Sequence, residues 1–219
     1  MKRRPGMVLA VRLIFVLSLS VLVYSVVQVV KAPLEARQAL KDWDKKREEA
    51  SARPPGAEEH PLPADMMAEY PGQTTTPSYV EGEIIGKIFF PSLNKKAAIL
   101  EGTESPQLKK GAGHSIGSAA IGTSGNSVLA GHRDTVFRRL GELRAKDRIE
   151  LETANGRFVY EVTGSTIVDA KERGAIQASR EATLTLITCY PFSYVGSAPD
   201  RYLLSATLIS RDSPEEKSE

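Results

Sequence analysis

With 219 residues, 26% of them charged and a formal net charge of only +2, the chain lacks the basic excess that nucleic-acid binding draws on. No basic stripe with interleaved aromatics is present, so no nucleic-acid partner is expected. A single cysteine, Cys189, excludes an internal disulfide.

Lys2, Arg3, Arg4 and Arg12 lead into an uncharged apolar run at 13–30. Its roughly 18 residues are near the lower limit for a membrane-spanning helix, and the basic flank predicts a cytoplasmic N-terminus with the bulk of the chain outside the cell. A cleaved secretory signal is the alternative, but no small-x-small cleavage site follows the run. Residues 33–51 are rich in Ala, Leu, Glu, Lys and Arg, which predicts a juxtamembrane helix with Pro33 in its first turn. Six prolines then fall between Arg53 and Tyr79, predicting an extended linker that holds the domain off the membrane, with His60 solvated and silent.

From Val80 onward short β-branched runs alternate with turn residues, predicting strands over 84–90, 96–100, 127–130, 148–152, 158–162, 165–168, 183–189 and 202–209. Ala154-Asn155-Gly156 supplies a hairpin turn. Short helical or 3₁₀ stretches are expected at 105–110 and at 135–143, where Phe137, Leu140 and Leu143 share one face. The chain therefore divides into a cytoplasmic tip and membrane anchor (1–31), a juxtamembrane helix and Pro-rich linker (32–79), a compact all-β domain (80–212) and a charged tail (213–219).

Cys189 ends the run Thr183-Leu-Thr-Leu-Ile-Thr-Cys, and Arg201 follows across a Pro- and Gly-bearing loop. His132 stands where the run Asn126-Ser-Val-Leu-Ala-Gly131 gives way to a loop. Taken singly, a lone cysteine is often a small buried hydrophobe and a histidine a core hydrogen-bonder. Together the three supply a nucleophile, a proton carrier and a cation for a developing oxyanion. Asp134 is near His132 in sequence, but nothing in the spacing orients its carboxylate on the imidazole.

Thr185-Leu-Ile-Thr-Cys189 resembles the Thr-Leu-x-Thr-Cys motif of the sortases, Arg201 falls at the position of their arginine, and Ala130-Gly-His-Arg-Asp-Thr135 resembles the segment that bears their histidine. The likeness runs from about Gly82 to Leu208, and Thr188-Cys-Tyr-Pro-Phe192 followed by Gly196-Ser-Ala-Pro-Asp-Arg201 looks most like the class D sortases of Gram-positive bacteria. The resemblance implies a closed eight-stranded sortase-type β-barrel with short helices, behind a single transmembrane helix. It implies a cysteine transpeptidase that cleaves a Leu-Pro-x-Thr-Gly or Leu-Pro-x-Thr-Ala signal after threonine and passes the surface protein to an amine of peptidoglycan or its lipid-linked precursor. Cys189 would be the nucleophile, His132 the general acid and then base, and Arg201 the oxyanion partner. Thr188 and Tyr190 are expected to bind substrate, and His114, in Gly111-Ala-Gly-His114, to line the groove or to serve the structure. The loop 169–181 is expected to border that groove. Neither a cofactor nor a metal is expected, because Glu101, Glu104 and Asp134 are scattered. Two rivals stand beside this reading: an extracellular cysteine hydrolase that releases its acyl group to water, and an anchored binding module with idle chemistry.

Overall fold

The computed structural model describes residues 5–52, 79–194 and 196–212, with the side chains at 5–8, 10, 28–32 and 51 left out. The Pro-rich linker and the charged tail expected from the sequence, apart from Tyr79, therefore lie outside the described residues.

Eight strands close into one barrel in the order β1-β2-β3-β4-β7-β8-β6-β5: β1 (Ile84–Phe90), β2 (Lys95–Glu101), β3 (Ala112–His114), β4 (Gly125–Ala130), β5 (Arg148–Thr153), β6 (Gly156–Asp169), β7 (Ala182–Tyr190) and β8 (Asp200–Asp212). Closure leaves no open sheet edge. Most pairs are antiparallel, but β2–β3 and β4–β7 run parallel. Period-two alternation sends Ile88 and Phe90, Ile149 and Leu151, Phe158 and Tyr160, Leu184 and Leu186 into one core. Tyr160 is wholly buried and its hydroxyl accepts a 2.9 Å hydrogen bond from the Gly122 amide; burial pushes its pKa up to about 12.

Two departures from the expected strands have local causes. The segments 158–162 and 165–168 are one strand, β6, because a register shift between Val162 and Gly164 absorbs the break while pairing with β8 continues to Asp169↔Asp200. The Gly-x-Gly-His segment, outside the expected strands, supplies β3, which bridges β2 and β4. Gly113 in this three-residue strand and Gly111 before it leave no alternating pattern to read. The Asn-Gly hairpin joins β5 to β6 with Thr153 opposite Gly156. Residues 105–110 form α2 (Ser105–Lys110), and 135–143 is a run of turns ending in a 3₁₀ turn, Leu140–Glu142, within the helical or 3₁₀ expectation for both stretches.

One helix, α1 (Pro5–Ala52), runs without a break through Pro33, so the apolar run and the expected juxtamembrane helix are a single rod. Among the described residues no helix is long and apolar enough to cross a membrane; the expected span 13–30 lies partly outside them, since the side chains at 28–30 are left out. The C-terminal half of α1 lies against the barrel wall. Ala39 and Trp43 are 3% and 2% exposed, and Ala39 packs with Ala98 and Leu100. The Trp43 indole N–H donates to Glu152 Oε1 at 3.0 Å, Arg47 pairs with the same carboxylate, and Lys87 Nζ reaches Asp44 at 3.0 Å. Lys46 bonds Glu83 at 2.9 Å. This docking offsets the hydrogen bond that Pro33 denies the helix.

Candidate active site

Cys189 lies one residue from the end of β7, and its cross-strand partner on β8 is Arg201. Directly opposed residues of an antiparallel pair point to the same face with Cβ atoms roughly 5 Å apart, so the backbone itself fixes thiol and guanidinium side by side. Leu184 and Leu186 face the core, so the period of two turns Cys189 to the outer face of the barrel, where it is a half-buried free thiol. Cys189 and Arg201, 12 residues apart in sequence, are brought together by register alone.

The third residue arrives by parallel pairing. Residues of β4 run alongside β7 from Gly125↔Ala182 to Ala130↔Ile187, and the Gly131 amide continues the ladder with a 3.1 Å bond to Ile187 O. Thr188, 3% exposed, donates its hydroxyl to Gly131 O at 2.7 Å. The next residue, His132, thus emerges beside Cys189. Its backbone carbonyl is held by the Phe137 amide at 3.0 Å, and a Cβ on Gly131 would meet the Phe137 ring at 2.6 Å. Only glycine fits there without displacing that ring. Among the described residues no carboxylate pairs with the His132 imidazole; Asp134 is exposed and lines a groove facing α1. Backbone pinning, not an acidic partner, holds this histidine.

Arg201 Nη1 donates to Ala198 O at 3.3 Å and to Asp200 O at 2.9 Å, both in its own loop. Tyr190 beside the cysteine is stacked on Tyr202 with ring centroids 6.3 Å apart and meets Phe192 edge-on at 5.7 Å. As the residue after Cys189, Tyr190 turns to the opposite face and packs with Phe192 and Tyr202 at the edge of the core, and the Thr188 hydroxyl is buried in its bond to Gly131. Loop 169–181 starts next to Arg201, where Val168 pairs with Arg201 and the Ala170 amide bonds Pro199 O at 2.9 Å. From there it leads to the opposite end of β7 at Ala182.

His114 is elsewhere. It is 5% exposed on β3, with Nδ1 2.8 Å from Glu101 Oε2 and Nε2 3.1 Å from Ser118 Oγ, at a cavity that Tyr79 and Ile121 also line. None of Cys189, His132 and Arg201 lines that cavity.

One residue of the histidine segment was given no role by the sequence. Arg133 donates from Nη2 to Gly196 O at 2.7 Å and from Nη1 to Pro191 O at 3.4 Å, and lies 5.8 Å from the Tyr194 ring centroid. It fastens the histidine loop to the loop between Cys189 and Arg201. Its position directly after His132 was the available signal, but the partners are backbone carbonyls that leave no trace in composition. Among the described residues no group of three or more His, Cys, Asp and Glu side chains is placed to hold a metal ion.

Comparison with known proteins agrees with this geometry. The sortase domain model matches residues 88–209. Sortase D of Bacillus subtilis (strain 168) is 44% identical over 124 residues, 56% of this chain and 63% of that relative; sortase A of Listeria monocytogenes is 30% identical over 116 residues, 51% of this chain and 52% of that relative. The match therefore spans about half to two thirds of the length of these relatives. Among solved structures, the catalytic domain of Bacillus anthracis SrtD is 40% identical with a TM-score of 0.53, covering 67% of this chain and 99% of that one. A sortase D5 transpeptidase of Clostridium perfringens is 28% identical with a TM-score of 0.54, covering 61% and 83%. With the barrel, the Cys189–Arg201 pair and the adjacent histidine in place, these matches show that the chain belongs to the sortase family of cysteine transpeptidases.

Proposed function

We propose that the chain is a membrane-anchored sortase of class D type that cuts a Leu-Pro-x-Thr-Gly or Leu-Pro-x-Thr-Ala signal after threonine and transfers the protein to a cell-wall amine. The observation that carries this reading is the cross-strand pairing of Cys189 with Arg201 beside a histidine pinned by Gly131. The Cys189 thiolate attacks the threonine carbonyl carbon, and Arg201 stabilises the charge that develops on the carbonyl oxygen. The tetrahedral adduct collapses, the C–N bond breaks, and the leaving amine takes a proton from the His132 imidazolium. An acceptor amine then attacks the thioester and gives its proton to His132. The new amide forms and thiolate returns. No net oxidation or reduction occurs.

The anchor is supported by α1 itself. Leu13, Ile14, Phe15, Val16 and Leu17 are successive and each at least 58% exposed, so this stretch of the helix is apolar around its circumference. A helix of that kind needs apolar surroundings. The Ser20 hydroxyl in this stretch is satisfied by Val16 O at 2.9 Å. The basic residues before it favour an orientation with the barrel outside the cell.

The test is product analysis by mass spectrometry of the full chain in lipid or detergent, given a library of Leu-Pro-x-Thr peptides with and without glycine or diaminopimelate-type amines. Cleavage after threonine with amide formed to the added amine supports transfer. Release of free acid that ignores the amine would identify a hydrolase, and failure with every Leu-Pro peptide would reject the substrate class.

A further inference from the structure

The docking of α1 creates a groove of about 590 Å³ between its residues 33–40, the β1–β2 turn and the loop that follows His132. Leu40, Leu93 and Val136 contribute an apolar floor. Five exposed cations line it: Arg37, Lys95, Lys96, Lys109 and Arg138. None of them takes part in an ion pair among the described residues, and Asp134 is the only acidic residue in the lining. A sixth cation, Arg139, is held by Glu142 at 2.6 Å.

A cationic rim over an apolar floor suits an amphiphile with an anionic head, and the place of the groove on α1 decides which. The apolar run ends at residue 30 and the groove begins at Pro33, on the same uninterrupted helix. At 1.5 Å of rise per residue, Pro33 to Arg37 stand about 5 to 10 Å beyond the end of the run, the depth of the headgroup layer outside a bilayer's hydrocarbon core. An acidic peptide would satisfy the charges, but only a membrane lipid is delivered to that level by the anchor itself.

We propose that this groove binds the headgroup of an anionic phospholipid of the membrane that holds the chain, an inference that rests on the anchor proposed above. The phosphate engages the Lys95, Lys96 and Arg138 side of the rim, and the first methylenes lie over Leu40 and Val136. Because Arg138 and Val136 follow His132 by six and four residues, an occupied groove fixes the height of the histidine loop above the bilayer. The lipid then acts as a positioning ligand that takes no part in the chemistry.

The experiment is hydrogen exchange on the full chain in phosphatidylcholine nanodiscs with and without phosphatidylglycerol, read at amides 93–97 and 134–140. Phosphatidylglycerol should slow exchange there about fivefold or more, and the exposed-site variant Lys95→Glu/Lys96→Glu/Arg138→Glu should lose the slowing while melting at the parent's temperature. Equal exchange in both lipids overturns the proposal. So does the same slowing by inorganic phosphate in phosphatidylcholine alone, which would make the groove a soluble-phosphate site. Retention of the chain by vesicles after an alkaline carbonate wash reports the anchor separately: release sinks the anchor, and retention without lipid-dependent slowing sinks the groove.

Discussion

The two hydrogen bonds that Arg201 makes to Ala198 O and Asp200 O both leave from Nη1, which orients the guanidinium while leaving its other donors for a bound substrate. Lysine at this position keeps the charge and loses the planar fork. Arg201→Lys should therefore lower kcat by about 10²- to 10³-fold with little change in melting temperature, as measured by peptide cleavage and thermal unfolding. Gly131 behaves oppositely: a methyl there collides with the Phe137 ring, so Gly131→Ala should destabilise the barrel by about 1–3 kcal/mol and displace His132, lowering both melting temperature and turnover. His114, bonded to Glu101 away from the cysteine, should show a third pattern. His114→Ala should lose about 1–3 kcal/mol of stability, measured by denaturant unfolding, while the folded fraction retains turnover. Cys189 and His132 were legible because the chain has one cysteine and three histidines and both stand at strand ends, whereas Arg201 was legible only from its place after the loop that follows the cysteine. Arg133 was not, since its carbonyl partners are 58 and 63 residues away and any residue could supply them.

At the level of elements, α1 is a structural part of the domain and more than a stalk. Trp43, on the face with Ala39, is the side chain that a sequence reading places on an amphipathic helix without knowing what it buries against. Its partner Glu152 lies 109 residues away on β5. Burial would raise the Glu152 carboxyl, but hydrogen bonds from Trp43 and Arg47 and the charges of Lys87 and Arg47 outweigh it and hold the pKa below the usual 4.5. A carboxyl lowered in the folded state adds stability above its unfolded pKa and loses it as pH falls through the folded value. Docking of α1 should thus hold at neutral pH and weaken below about pH 4.5, which hydrogen exchange at 36–47 against pH would read. Glu152→Gln should flatten that profile. Trp43→Ala should expose the same helix face at all pH values, at a loss of about 3–5 kcal/mol of docking energy. The strands were largely legible from β-branched alternation. β3 was hidden by Gly113 within it and Gly111 before it, and β6 was split by the bulge near Gly164.

For the molecule as a whole, the all-β class could be read from strand count and turn spacing, but the order of the barrel could not. Its defining contacts, β4 with β7 and β6 with β8, join distant segments by register, which no local pattern encodes. That order is what makes the site, because it brings a strand-end histidine to a thiol 57 residues later in the chain. It also sets the docked helix on β1, β2 and β5, across the barrel from Cys189 on β7. A covalent intermediate on Cys189 is the species that this chemistry requires. Intact-mass spectrometry of the full chain mixed with a Leu-Pro-x-Thr-Gly peptide should reveal an adduct heavier by the peptide acyl group. Fragmentation should place that group on Cys189, and an added amine should discharge it as an amide. An adduct mapped to any other residue, or peptide cleavage that survives in Cys189→Ala, would contradict that chemistry.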